Sequence, residues 1–181
     1  NLNRDDSIEV SGFDRDLKEI SLQLARTAVE SDLRISIGPP KTHDTVNVTL
    51  SLKNMVMCSA KHKRRVHQGY PGINLNIYHL AYHVAPHLSI IDGFQAMEGN
   101  GPVGGTAVDW GIVVASADFL SADALTARLM GFELKEIGYL HYCQLKGLGQ
   151  GDLEEMQVVG NVNPGQVRRQ FRRHRSWRRQ L

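Results

Sequence analysis

The chain has 181 residues, of which 41% are hydrophobic and 22% charged, ordinary usage for one compact globular domain. That balance excludes a disordered chain, a collagen and a transmembrane bundle, because no stretch approaches the ~20 uninterrupted apolar residues of a membrane helix. The net charge of +2 conceals a segregation: residues 168–181 hold seven arginines and no acid, and without them 14 basic groups face 19 acidic ones, a net −5.

No N-terminal signal peptide is visible, and the chain opens at Asn1 instead of Met, so the natural start is expected upstream. Residues 1–12 are polar and lack a clear period. Asp14 predicts a helix cap, with Leu17, Ile20, Leu24 and Ala28 following at spacings of three to four. Leu33 to Ile37 alternates and ends at Gly38-Pro39-Pro40, a strand entering a loop. Val46 to Leu52 fits either a strand or the start of a short helix. The basic run Lys61-His62-Lys63-Arg64-Arg65 and Gly69-Tyr70-Pro71-Gly72 read as a long exposed loop.

Asn74 or Asn76 starts the next helix, which Pro86 ends, with Ile77, Leu80, Ala81 and Val84 on one face. Leu88 to Ile91 reads as a short strand closing at Asp92-Gly93. The glycines and proline of 99–105 require a loop. Gly111 to Ser116 is an apolar run of the kind buried on both faces of a sheet. Ser121 or Asp123 opens a helix ending at Gly131, a second helix covers 133–146, and Met156 to Val159 predicts a last strand. Short strands alternating with helices indicate an α/β protein: layered, with a mostly parallel or mixed central sheet flanked by helices. Residues 1–165 form the single predicted domain. Residues 166–181 form an Arg-rich tail, expected to be mostly disordered in isolation through self-repulsion.

Several clusters could carry chemistry. Lys41 and His43 leave a strand end, where α/β proteins collect ligands, and Lys53 and Asn54 add a cation and a two-way hydrogen bonder. A histidine near its ordinary pKa of ~6.5 exchanges protons at neutral pH. The 99–105 loop, with Gly99, Asn100, Gly101 and Gly104, offers backbone amides to an anion, although it matches neither the dinucleotide nor the P-loop pattern. Asp92, Glu98 and Asp118 are candidate acids, bases or metal ligands, and Asp123 reads as a carboxylate in a first helical turn. His79, His83 and His87 have helical ligand spacing but sit opposite the apolar face, which indicates a solvated surface. Cys58, His62 and His67 could meet only if their loop folded back. The arginines, with Phe171 and Trp177, suit nucleic acid, an acidic partner or the chain's own acidic body. Two cysteines without a Cys-x-x-Cys pattern read as reduced thiols of a cytoplasmic protein, too few to hold a four-cysteine cluster.

Taken in order, Pro40–His43, Thr49–Met55, Leu88–Gly93, Met97–Gly105, Ala115–Asp118, Ser121–Ala124, Leu129–Phe132 and Gly147–Gly149 resemble the domain of unknown function family 362. The resemblance spans about residues 30–160 and implies mixed α/β layers and an association with iron–sulfur proteins. It also implies that the chain is the C-terminal part of a longer domain, lacking an upstream half. Family members often carry a Gly/Pro-rich loop where this chain has Met55–Ala60. The expected function is a redox-linked enzyme or small-molecule binder. It would hold an anionic or carbonyl-bearing ligand on Lys41, His43, Lys53 and Asn54 under the 99–105 loop, with Asp92, Glu98 or Asp118 moving protons. Any iron–sulfur cluster would come from a ferredoxin-like partner or a missing module. The alternative is a nucleic-acid or acidic-partner binder acting through the tail and the 61–65 run.

Overall fold

The structure is a computed structural model that describes residues 1–180; Leu181, the last residue of the predicted tail, lies outside the described residues. Strand β1 (Ser7–Phe13) pairs antiparallel with β2 (Glu19–Ala25), and a short helix α1 (Arg26–Glu30) follows. The helix expected after Asp14 is therefore a hairpin. Ile20, Leu22 and Leu24 alternate, and this period-two pattern wins because β1 supplies a partner strand. Asp14 closes the turn, its carboxylate accepting the Asp16 and Lys18 amides, each at 2.9 Å.

The central sheet is built from β3 (Ile35–Gly38), β4 (Lys41–His43), β5 (Asn47–Thr49), β6 (Leu88–Glu98) and β7 (Thr106–Ser116). β6 is its spine. β3 runs parallel to the first half of β6, β4 pairs parallel with it at Met97, and β7 pairs antiparallel along its whole length. β5 extends the sheet antiparallel to β4. The architecture is thus a mixed sheet flanked by helices, as expected.

Helix α2 (Ser51–Ser59) and α5 (Phe119–Leu129) pack on this sheet, and α4 (Gly69–Val84) and α6 (Gly138–Leu145) pack behind them. A single turn, α3 (Lys63–Val66), leads into α4, and α7 (Pro164–Val167) precedes the tail. The 61–72 stretch is thus largely helical instead of a loop, though most of its residues are exposed as expected. Asn74 and Asn76 do not start α4 but lie buried inside it. Asn74 Oδ1 accepts the Tyr139 amide, and Asn76 binds both backbone groups of Phe13, so both carry tertiary bonds. The predicted second helix divides into a 3-10 turn (Leu134–Glu136) and α6. Residues 156–159 form no strand and cross the open side of β7 and α5 instead.

β7 also departs from expectation. It is an edge strand paired only with β6, so its apolar run is covered on one face alone. Ile35, Ile37 and Val113 stay exposed on the uncovered face. α2 is locked to the sheet by a buried hydroxyl chain. Ser51 Oγ donates to Ser89 Oγ at 2.6 Å, and Ser36 Oγ donates to the Ser51 carbonyl at 3.0 Å. These bonds satisfy polar groups that would otherwise cost about 1–3 kcal/mol each when buried.

The tail docks on the body. Phe171, 2% exposed, sits 4.9 Å from the Trp110 ring centroid, and its amide donates to the Met130 carbonyl. Arg173 lies over the Phe132 ring and pairs with Glu136 at 2.9 Å. Of the partners its charge suited, the chain's own acidic body is the one it meets here.

Candidate functional site

The start of α2 points Lys53 into the protein beneath the β4–β5 turn. Lys53 is only 5% exposed, and His43, at the end of β4, is 2% exposed. The His43 and His67 rings stack with centroids 6.1 Å apart. Asp44, Cys58 and Lys63 all lie within electrostatic reach of Lys53. Among the described residues, the Lys53 ammonium donates no hydrogen bond and forms no ion pair, yet its Nζ is not sealed from solvent. An ammonium so deeply buried is normally paired, since desolvating a charge costs several kcal/mol.

Burial accordingly pushes Lys53 down to about 8, with Asp44 and Cys58 opposing. The N-terminal end of α2, whose dipole disfavours a cation, acts in the same direction. Burial and then the Lys53 charge push His43 down to about 3. Its Nδ1 accepts the Thr45 amide at 3.0 Å, which places the ring proton on Nε2. The 3.0 Å approach of Asp44 Oδ1 to His43 Nδ1 is therefore a contact with a neutral ring, not a salt bridge. Burial and Lys53 lower His67 as well. The expectation of a histidine titrating near neutrality is corrected at His43, which burial holds neutral, while the nearby Lys53 amine is brought toward physiological pH.

The expected site residues separate. His43 and Lys53 are brought together. Lys41 lies two residues from His43 on the same face of β4, half-buried and paired with Thr49 and Met97. Asn54 Nδ2 donates to Ser36 Oγ and the Ile37 carbonyl, at 3.2 and 3.3 Å, so it ties α2 to β3. The 99–105 loop does meet β4: Thr42 Oγ1 donates to the Gly99 carbonyl at 2.9 Å, and Gly101 lies so close that a Cβ there would stand 2.1 Å from the Thr42 carbonyl oxygen. The loop's outward groups, however, hold the tail. The Gly99 amide donates to the Arg172 carbonyl at 2.7 Å, Glu98 accepts the Arg172 amide at 3.0 Å, and Asn100 faces the Arg175 amide at 3.5 Å. Gly104 is exposed.

Asp92 stands exposed in mid-β6 and accepts the Phe94 amide beside a bulge. Asp118, not Asp123, caps α5, accepting the Leu120 and Ser121 amides at 2.8 and 3.0 Å and the Gln150 amide at 2.8 Å. Asp123 is instead fully buried and caps α2 from across the layer, through the Ser51 and Leu52 amides at 2.8 and 3.0 Å. Its burial raises its pKa to about 7 despite those two bonds.

Sequence reasoning missed Asp44 and His174, and it placed His67 only in a weak metal pattern. His174 acts on His43 and Asp44 from the tail, beside Ser176, whose hydroxyl donates to the Asp44 carbonyl at 2.7 Å. No local signal joins residues 130 positions apart. Among the described residues no three His, Cys, Asp or Glu side chains gather to ligate a metal. His79 packs against Phe13 and Tyr78, and His87 accepts the Arg34 amide at 3.0 Å. The cysteines do not fit an iron–sulfur cluster: Cys58 is exposed on α2, and Cys143 is buried in α6 with its thiol pushed up to about 12. No described helix is long and apolar enough to cross a membrane.

A family model described as a domain of unknown function, DUF362, matches residues 1–128. The expectation of a C-terminal part only is not borne out. The thylakoid-associated protein sll1697 of Synechocystis is 31% identical over 114 residues, which cover 60% of this chain and 36% of that protein. The chain therefore matches little more than a third of that relative's length. No solved structure matches the chain.

Proposed function

The chain belongs to the DUF362 family, and on that premise we propose that it binds, and acts on, an anionic or carbonyl-bearing small molecule at Lys53. One observation carries this reading: a lysine only 5% exposed whose ammonium has no partner among the described residues. A site of this kind costs stability, and a bound anion would supply the missing counter-charge. Lys63 on α3 adds positive field at Lys53 and makes no side-chain hydrogen bond or ion pair among the described residues. His43 presents Nε2–H as a neutral donor. Lys53 holds the negative or carbonyl oxygen, and the imidazoles fix orientation without competing for protons.

If the reaction is redox-linked, the electrons come from a separate iron–sulfur partner, because the two cysteines here do not fit a cluster. The cytoplasmic placement proposed from the free thiols stands beside a relative whose name says thylakoid-associated. Binding of oxalate, a small dianion without a reactive carbonyl, tests the reading by calorimetry and amide chemical shifts. Shifts centred on Lys53, His43 and His67, lost in Lys53→Met, are the expected result. Shifts spread over the 61–65 run and unchanged in Lys53→Met would refute it.

A further inference from the structure

We propose that Lys53 forms a covalent imine with the carbonyl carbon of a small, negatively charged aldehyde or keto compound. The inference rests on the preceding reading of the Lys53 cleft and deepens it by naming the bond formed. Three structural features carry it. The Nζ atom has no hydrogen-bond partner among the described residues, so its lone pair is not engaged once it loses its proton. The residue is buried to 5% exposure, yet its Nζ is not among the sealed polar atoms, so the amine keeps some contact with solvent. The neighbouring α3 carries Lys63, which lies within electrostatic reach of Lys53 and draws an anionic substrate toward the amine.

The groups facing Lys53 are His43 and Asp44 from β4 and its turn, Cys58 from α2 itself, and Lys63 and His67 from α3 and its end. His174 from the tail acts on His43 and Asp44, and Asp123 from α5 holds the N-terminus of α2. The two histidines near the amine are depressed by burial and by Lys53 itself, and Asp44 is already ionised. Burial thus brings the Lys53 amine much closer to neutrality than an ordinary lysine. Other buried lysines would be locked by an ion pair; among the described residues this one has none.

The chemistry balances without an oxidant. The neutral amine attacks the carbonyl carbon, a C–N bond forms, and the carbonyl oxygen takes a proton to give a carbinolamine. The C–O bond then breaks and the oxygen leaves as water. In sum, ammonium and carbonyl give iminium and water, with charge conserved and no change of oxidation state. The bound carbonyl carbon becomes strongly electrophilic and acidifies its neighbouring C–H bonds. The substrate class is accordingly a 2-oxo acid or an anionic aldehyde.

The test is reductive trapping on the full chain with glyoxylate as probe and cyanoborohydride as reductant, followed by proteolysis and mass mapping. The expected result is carboxymethylation of Lys53 at pH 7.5 on the order of 100-fold faster than of the exposed lysines, from a pKa of about 8 against 10.5. Its rate should level off above pH 8 while the exposed lysines keep accelerating. Lys53→Met must abolish the fast site. Labelling spread evenly over exposed lysines, with Lys53 unmodified, overturns the imine. If oxalate still binds at the cleft in that case, the binding reading survives; if oxalate fails as well, both fall.

Discussion

Replacing Lys53 with Met isolates the energetic consequence of burying an unpaired ammonium. Met keeps the length of the side chain and its apolar stem but removes the charge. In the unfolded chain the amine titrates near 10.5, and in the fold at about 8. Below pH 8 both states are protonated and the folded state bears the whole penalty. At 1.36 kcal/mol per pH unit, that gap corresponds to about 3 kcal/mol. Between pH 8 and 10.5 the folded amine loses its proton first, and the penalty fades as the pH rises. Lys53→Met should therefore be more stable than the natural chain at pH 7 by up to about 3 kcal/mol. With a urea m value of about 2 kcal/mol/M, its midpoint rises by about 1.5 M. By pH 10.5 the two chains should converge, because every other titrating group is common to both. Urea unfolding of both chains at pH 7, 8, 9 and 10 measures this. A Met variant less stable at pH 7, or a difference that does not change with pH, would show that Lys53 is paired in solution and would refute the reasoning.

Two further substitutions probe how the tail and the glycine loop are held. Phe171→Ala empties a site packed on Trp110, so a loss of about 3–5 kcal/mol in urea unfolding is expected, with the arginines after it becoming protease-sensitive; a loss below 1 kcal/mol would mean that the tail does not pack. Gly101→Ala puts a methyl carbon against the Thr42 carbonyl, and the loop must lift off β4 to admit it. A loss of about 1–3 kcal/mol by thermal unfolding is expected, and a neutral substitution would contradict the close approach.

A bound counter-anion, as proposed above, would offset the cost of burying a lysine at this position. The tail completes the same region from the other end of the chain. Gln180 Nε2 donates to the His43 carbonyl at 3.2 Å, and the Ser176 hydroxyl meets the Asp44 carbonyl. The arginines that suggested nucleic acid are in part spent on Glu98 and Glu136. Those of the remaining arginines that make no such contact are where a test of the alternative reading would begin.

Part of what the sequence signals locally holds in the fold. Pro86 stops α4 at Val84, Gly99 to Gly105 form a loop, and an alternating run before Gly38 makes β3, because each depends on backbone rules that act within a few residues. The mixed α/β class follows from the same signals. The β1–β2 hairpin was not legible, since Leu17, Ile20 and Leu24 satisfy a helical period while Ile20, Leu22 and Leu24 satisfy a strand's, and only the partner strand decides. The roles of Asp118 and Asp123 exchanged for a similar reason: which helix start a carboxylate caps depends on which helix lies opposite it. For the site, the chain itself supplied the residue types, a lysine and a histidine ten positions apart. Tertiary structure alone decided that His67 and His174 would join them and that Lys53 would have no partner among the described residues. Desolvation and Coulomb terms depend on what surrounds a charge in space, and that neighbourhood is assembled from β4, α2, α3 and the tail.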